Sequence, residues 1–407
     1  MSHFTTRRSF MQAVGASAAA MSLTGCSQSA EKPRRGPAEK PIQGFEQAPG
    51  DADASRGWKP ISDRRIRVGI AGYGYCGFGA AFDFQKHPNV EVVAVSDLFP
   101  DRCATLAKKC GCEKTYPSCE EMVQDDRIEA VFIATDAPSH ARLAIDALKH
   151  GKHVASAVPA VFGSLEDADR LLEAVKTSGR KYMMFETSYF HEDLYAARQL
   201  HKAGALGQIV YAEGEYFHYM PEPLGSYMEW RTGIPPQWYP THSNAYYVGV
   251  HGGSFTEVCC MAMPSRNKWF QPENNSFKNA FATEVALFRT SEGGMARMAV
   301  SWDTPGHGGE MGRIRGTRGS VYLKYEGAVK EKEQPDLKRP PLPPGVAAGS
   351  HGGSHGYLMS EYIAAILENR RPLVDVVQAL NMTVGGVMAH KSAQKNGELM
   401  RIPQYKL

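Results

Sequence analysis

RVGIAGYGYCGFGAAFDFQKHPNVEVVAVSD, residues 67–97, reads as strand, tight glycine turn, helix and strand. Val68 to Ala71 is a short apolar run. Gly72, Gly74 and Gly77 follow it in G-x-G-x-x-G order, with Tyr73, Tyr75 and Cys76 inside the loop. An amphipathic segment to about His87 predicts a helix, and the β-branched run from Val90 to Val95 leads to Asp97. Each glycine answers a requirement: the turn itself, close approach of backbone to a pyrophosphate, and close packing of helix on strand. A helix N-terminus at this point presents free N–H groups and partial positive charge to phosphates. Asp97 stands 20 residues beyond Gly77, where its carboxylate can accept both hydroxyls of an adenosine ribose. It would repel a 2′-phosphate, so the stretch predicts a dinucleotide site that favours NAD over NADP. Arg102 is the residue that leaves NADP open, unless it stacks on the adenine.

The alternation continues outward. A helix from Pro100 to Cys110, a short strand near Thr115 and a helix from Ser118 precede the buried strand Ala130–Ala134. That strand ends at Thr135-Asp136-Ala137-Pro138-Ser139-His140, and Pro138 suits the first turn of a helix running to about His150. Another strand at 153–156, a helix capped by Ser164 and a last strand at 182–185 complete a doubly wound parallel sheet. The domain is expected over 63–190.

From about residue 191 the pattern changes. A helix to Lys202 precedes a long strand, Gly207–Phe217, and then a loop-rich stretch, His218–Gly253, holding aromatics, prolines and histidines. Alternating runs at Phe281–Thr290, Gly294–Asp303 and Gly312–Leu323 predict an open, mostly antiparallel sheet with helices on one face. A charged, Pro-rich surface loop is expected over 324–347, and helices at 354–369 and 376–396 finish an α+β substrate domain, 191–407.

At 407 residues the chain has room for two domains, and its net charge of +3 with no basic stripe argues against nucleic acid. No stretch of about 20 uninterrupted apolar residues predicts a membrane span. Thr6-Arg7-Arg8-Ser9-Phe10-Met11 reads as a twin-arginine signal, and Leu23-Thr24-Gly25-Cys26 as a lipobox that would make Cys26 a lipid anchor. The expected product is a periplasmic or cell-surface lipoprotein, with residues 27–62 a flexible tether. Cys103, Cys110, Cys112 and Cys119 cluster in the first domain without paired metal-ligand spacing, which leaves free thiols, a disulfide or a metal open. Cys76 reads as a small residue that fits the glycine loop. No metal site is expected.

VFIATDAPSHARLAIDALKHGKHVASAVP, residues 131–159, resembles the second half of the nucleotide domain of the Gfo/Idh/MocA oxidoreductases. The resemblance implies a nicotinamide-binding domain, sugar or polyol substrates and oligomerisation through the C-terminal sheet. Where that family's dehydrogenases carry Glu-Lys-Pro, this chain has Ala157-Val158-Pro159, so the lysine that assists proton transfer is replaced by a side chain that moves no proton. Tyr216-Phe217-His218, Trp230-Arg231-Thr232, Tyr239-Pro240-Thr241-His242 and Ser350-His351-Gly352-Gly353 resemble the NAD-dependent glycosidases of glycoside hydrolase family 109. The same matching implies that Thr135, Ala137 to His140, Ala157, Val158 and Thr187 line the nicotinamide half of the cofactor. His140 is alternatively a helix cap. Ala157 and the tract 243–250 depart from that family too, so substrate identity does not transfer.

In the mechanism that this resemblance implies, bound NAD takes a hydride from C3 of a sugar, the C2 proton is lost, the C1 substituent leaves, water adds and the hydride returns. His242 is the first candidate for proton transfer and Tyr239 the second. Arg231 could hold sugar oxygens with a fork of donors, Tyr216 and His218 would form a wall, and Thr241 and His351 would touch substrate. Location adds a constraint. An exported enzyme has no pool of free NAD, so its cofactor should be held tightly and end each cycle oxidised. A redox-neutral glycosidase, a ping-pong sugar oxidoreductase and a non-catalytic sugar-binding lipoprotein are the three readings.

Overall fold

Six parallel strands form the first sheet of the computed structural model, which describes residues 43–46, 51, 53–306 and 308–407. The twin-arginine segment, the lipobox and Cys26 lie outside the described residues. The strands are β1 (Ile66–Ala71), β2 (Val90–Ser96), β3 (Thr115–Tyr116), β4 (Ala130–Ile133), β5 (His153–Ser156) and β6 (Tyr182–Met184), in the order β3-β2-β1-β4-β5-β6. Helices α1 (Pro100–Cys110), α2 (Cys119–Met122), α3 (His140–Lys149) and α4 (Leu165–Ser178) connect them. β1 pairs with β2 on one side and β4 on the other. The chain therefore reverses its winding at β1, and the crevice beyond the carboxyl ends of β1 and β4 is where such sheets hold ligands.

α5 (Glu192–Lys202) leads to the second sheet: β7 (Ile209–Phe217), β8 (Phe255–Pro264), β9 (Phe281–Thr290), β10 (Met295–Ser301), β11 (Gly309–Gly316), β12 (Gly319–Tyr322), β13 (Lys324–Gly327) and β14 (Met400–Arg401). Its order is β13-β12-β11-β7-β10-β9-β8-β14, antiparallel except where β10 runs parallel to β7. Two helices, α6 (Thr241–His251) and α8 (Val376–Ala393), pack on one face, and α7 (His355–Leu367) packs beside the loop after β6. The other face, carrying Met261, Met263, Leu287 and Met295, is exposed.

Four expectations are corrected. The segment after the glycine loop is not one helix but two three-residue 3-10 turns, Phe78–Ala80 and Phe84–Lys86, with Asp83 at φ 52° between them. Phe82 and Phe84 are both buried against Phe132 and Phe185, and residues two apart cannot share one helix face. The expected phosphate-binding helix terminus is accordingly missing. Within the stretch read as loop lies α6, whose residues Thr241 to Val250 are all buried; with no polar face it shows no helical period. β8 was not anticipated, and the run 312–323 is a hairpin, β11–β12, rather than one strand. The Pro-rich excursion begins with β13 and buries Leu342. Cys103, Cys110, Cys112 and Cys119 are free thiols, all buried.

Candidate active site

The glycine loop leaves β1 through Gly72 at φ 91°, a conformation a side chain would strain. A Cβ there would stand 2.8 Å from the Ala134 carbonyl, so the loop lies directly on the end of β4. The Tyr73 amide donates to Asp97 Oδ2 at 2.8 Å and the Phe99 amide to Oδ1 at 2.9 Å. Asp97 thereby shapes the loop while its carboxylate faces the crevice. Arg102 stacks over Phe99 with its guanidinium carbon 4.5 Å from the ring centroid.

One continuous cleft starts at Asp97, Phe99 and Arg102, passes Gly72, Gly74, Tyr75 and Cys76, and ends among Tyr216, His218, Arg231, Tyr239, His242 and His351. Thr135, Ala137, His140, Ala157, Val158 and Thr187 line its middle. The Thr135 hydroxyl is buried there without a hydrogen-bond partner. A glycine turn closed to a Cβ at Gly72, an acid at the ribose position and an orphaned hydroxyl on the wall fit NAD in this cleft.

Three expected contacts are not made. Tyr73 and Gly77 are absent from the cleft wall: the Tyr73 ring lies under Lys109, and Gly77 heads the first 3-10 turn at φ 70°. Thr241 is fully buried in the first turn of α6, with no hydrogen-bond partner for its hydroxyl, and does not reach the cleft. His140 does line the cleft, but both its ring nitrogens face backbone carbonyls, Pro159 O at 3.0 Å and Thr135 O at 3.3 Å. It ties two wall segments together, and Ser139, not His140, is the residue ahead of α3.

At the far end the first turn of α6 delivers His242 to the cleft. Its Nδ1 lies 2.8 Å from Glu186 Oε1 and 3.5 Å from Glu310 Oε1, while Ser188 Oγ approaches at 3.3 Å. Burial alone would depress the imidazole, but Glu186 and then Glu310 overcome it and lift His242 to about 9. Burial opposes ionisation of Glu186 as well, and the His242 charge still holds its carboxyl below the usual range. The Tyr216 ring packs 4.5 Å from His242, and its hydroxyl shares a 2.9 Å hydrogen bond with His218 Nδ1. Burial, then the Arg231 charge, pushes His218 down to about 4, so it is a neutral hydrogen-bonding group. Burial raises the Tyr239 phenol against the opposing charge of Arg231. The Arg231 guanidinium lies over Trp230 and Tyr239, 4.2 and 6.0 Å from their centroids.

His351 reaches the cleft at φ 50°, with His355 Nε2 3.0 Å from its Nδ1. Arg339 fixes that loop, donating to the carbonyls of Gly352 at 3.1 Å and Gly353 at 2.8 Å. The tether also contributes: the Gly44 carbonyl accepts the His351 amide at 2.8 Å, and Phe45 packs edge-on against His351 and Phe78. Sequence reasoning missed Glu186, Glu310, Ser188, Phe45 and Arg339. Only Glu186 carried a signal, since it stands just past the carboxyl end of the last parallel strand, where site residues collect.

Residues 66–186 match the Gfo/Idh/MocA oxidoreductase family, NAD-binding Rossmann fold, and residues 194–322 match the GFO/IDH/MocA C-terminal domain. A glycosyl hydrolase family 109 protein of Porphyromonas gingivalis is 30% identical over 164 residues, 38% of this chain and 34% of the relative, so that match spans about a third of the relative's length. Glycosyl hydrolase family 109 protein 2 of Akkermansia muciniphila is 26% identical over 355 residues, 79% of this chain and 74% of the relative. Scyllo-inositol dehydrogenase of Lactobacillus casei, solved with NAD(H) and scyllo-inositol, superposes with a TM-score of 0.64 at 18% identity, covering 83% of this chain and 99% of that one. Levoglucosan dehydrogenase with NADH and levoglucosan gives 0.66 at 19%, covering 84% and 100%. With an NAD-binding domain and the partner domain that follows it both matched, the chain belongs to the Gfo/Idh/MocA oxidoreductase family.

Proposed function

We propose that the protein is a carbohydrate-active enzyme that keeps NAD resident and cleaves a glycoside by oxidation, elimination, addition and reduction. The observation that carries this reading is His242, joined to Glu186 at 2.8 Å and set at the end of a nucleotide cleft whose middle has Val158 in place of a proton-moving side chain. When bound, NAD supplies hydride acceptance and return at a sugar carbon. Gly72, Gly74 and Asp97 would hold its adenosine and phosphates. Ala157 and Val158 add apolar side chains to the middle of the cleft, beside the hydroxyl of Thr135, and move no proton there. Tyr216, Trp230 and Tyr239 supply aromatic faces for a sugar ring, and Arg231 and His218 supply donors to its hydroxyls. His242 carries the proton that an elimination and a water addition must move. The family 109 names among the relatives support this reading.

Export by the twin-arginine route and a lipid on Cys26 belong to the proposal, because a resident cofactor that ends each cycle oxidised suits a compartment without free NAD. Self-association belongs to it as well. Met261 opposes Val285 on β9, and Leu287 opposes Cys259 on β8 and Arg297 on β10, giving an exposed apolar strip on the open sheet face.

The test is to incubate purified protein with a panel of p-nitrophenyl glycosides and no added cofactor, while identifying by mass any nucleotide that co-purifies. Phenolate release with bound NAD supports the reading. Reduction of an added sugar without bond cleavage would replace it with a ping-pong oxidoreductase.

A further inference from the structure

His242 is 4% exposed, and among the described residues every hydrogen-bond and ion-pair partner of its ring is on Nδ1. Nε2 has no hydrogen-bond partner among the described residues, while the ring lines the cleft. Glu186 is fully buried behind it. Its Oε1 also accepts the Ser188 amide at 2.9 Å, and its Oε2 has no partner. Glu310, from β11, accepts the Ser188 hydroxyl and faces His191 Nε2 at 3.4 Å. Two carboxylates, Glu186 fully buried and Glu310 nearly so, thus converge on one imidazole, and buried carboxylates need a cation. The other charged or titratable groups facing the imidazole are Tyr216 and His218 at the end of β7, Arg231 and Tyr239 before α6, His191 ahead of α5, and His351. Arg231, the only fixed cation of that set, lies over Trp230 and Tyr239 and is ion-paired with neither carboxylate.

We propose that Glu186 and Glu310 clamp His242 as an imidazolium with its Nε2–H turned into the cleft, so that His242 meets the substrate as a proton donor and Glu186 is the positioning residue that keeps the donor loaded. The role rests on the glycoside reading above; the clamp itself does not. In that reaction the C2 proton passes to cleft water as the C1=C2 bond forms and is returned to C2 when water adds. The C1–O bond breaks with its electron pair on oxygen, and that oxygen takes the Nε2 proton. His242 is left neutral with Nδ1–H still on Glu186. The water that adds at C1 gives its surplus proton to Nε2, and the cluster ends the cycle as it began.

The same three residues place one ligand atom each within 4.8 Å of one another, the spacing of a metal site. The 2.8 Å contact between Nδ1 and Oε1 is that of a hydrogen-bonded pair, which an ion between them would have to break. The two arrangements predict different titrations.

The experiment is an NMR titration of histidine-labelled, nucleotide-loaded full-length protein, with His242 assigned through His242→Gln and metal content measured on the same sample. The expected result is a His242 resonance that titrates about two pH units above an ordinary imidazole. Glu186→Gln should return it to the ordinary range and Glu186→Asp should restore part of the rise. Should Glu186→Gln fail to fold, Glu310→Gln is read instead and should produce a smaller fall. The pH profile of kcat/KM, where a glycoside is turned over, should lose its alkaline limb to lower pH in step with the resonance. A wild-type His242 that titrates in the ordinary range, a resonance indifferent to both carboxylates, or a stoichiometric divalent metal whose removal moves it would overturn the clamp. Failure to cleave any glycoside with the titration intact would sink only the functional reading.

Discussion

The amide of Tyr73 and the carboxylate of Asp97 are joined at 2.8 Å, tying the glycine loop to the end of β2. A charge-assisted bond of this kind contributes about 1–3 kcal/mol, and here it shapes the surface on which a nucleotide lies. Asp97→Ala should therefore cost stability of that order and weaken NAD binding at least about tenfold, because loop and ribose lose the same partner. Calorimetric titration with NAD beside a denaturant curve measures both. Equal NAD affinity in the variant would show that Asp97 serves the loop alone.

Gly72 offers a sharper test of the cradle. Its φ of 91° and the 2.8 Å gap between a built Cβ and the Ala134 carbonyl mean that Gly72→Ala must move either the loop or β4. A destabilisation of about 1–3 kcal/mol is expected, with loss of co-purifying nucleotide. Thermal unfolding and absorbance of the released nucleotide would report it. Gly74→Ala should be milder, since the nearest atom to its Cβ is 3.5 Å away.

Much of this cradle was legible in the sequence, because turn, strand and acid are local features with their own residue chemistry. Glu186 and His242 were a different matter. They lie 56 residues apart, and their pairing depends on how the first turn of α6 lies over the end of β6. No spacing in the chain encodes that approach. α6 escaped notice for a related reason: a helix buried on every side carries no polar stripe, so Thr241-His242-Ser243-Asn244 reads as loop. The helix expected after Gly77 failed the other way. Its composition allowed one, but the burial of Phe82 and Phe84 against Phe132 and Phe185 took the backbone elsewhere.

The His242–Glu186 pair makes folding stability depend on pH in a definite direction. His242 is raised in the folded chain to about 9 from 6.5, so its contribution is complete below pH 6.5 and is lost as pH climbs through about 9. Glu186 is depressed, so its contribution is present above the ordinary carboxylate range and is lost as pH falls through its folded value. Wild-type Tm should decline between about pH 6.5 and 9, and His242→Gln should flatten that decline. A variant with the wild-type slope would assign the pH dependence to other groups.

Arg339 is a test at a distance from the chemistry. Its guanidinium donates to Phe190 O at 3.0 Å as well as to Gly352 O and Gly353 O, bridging the loop after β6 to the turn that carries His351. Arg339→Ala should free that turn, which His351 occupies at a left-handed φ of 50°. The expected effect is a KM raised several-fold with kcat changed less, and a stability loss of about 1–3 kcal/mol, chiefly from the part-buried Phe190 and Gly353 carbonyls left short of a donor. Steady-state kinetics on whichever glycoside is turned over would separate the two parameters.

Phe45 decides whether the segment ahead of β1 is a passive tether. Gln43 donates to the Phe217 carbonyl at 3.1 Å, Gly44 accepts from the His351 amide, and the Phe45 ring lies 4.9 Å from His351 and 6.0 Å from Phe78. Those contacts hold three residues of the expected linker against the nucleotide cleft, with Gln43 and Phe45 on its wall. Each aromatic pair contributes about 0.5–1.5 kcal/mol, so Phe45→Ala removes enough to open the rim without unfolding the domain behind it. Bound nucleotide should then leave several-fold faster on dialysis while Tm measured with saturating NAD stays near wild type. Unchanged release would mean that retention rests on the glycine loop and Asp97, and that the segment only passes over the site on its way to the N-terminus.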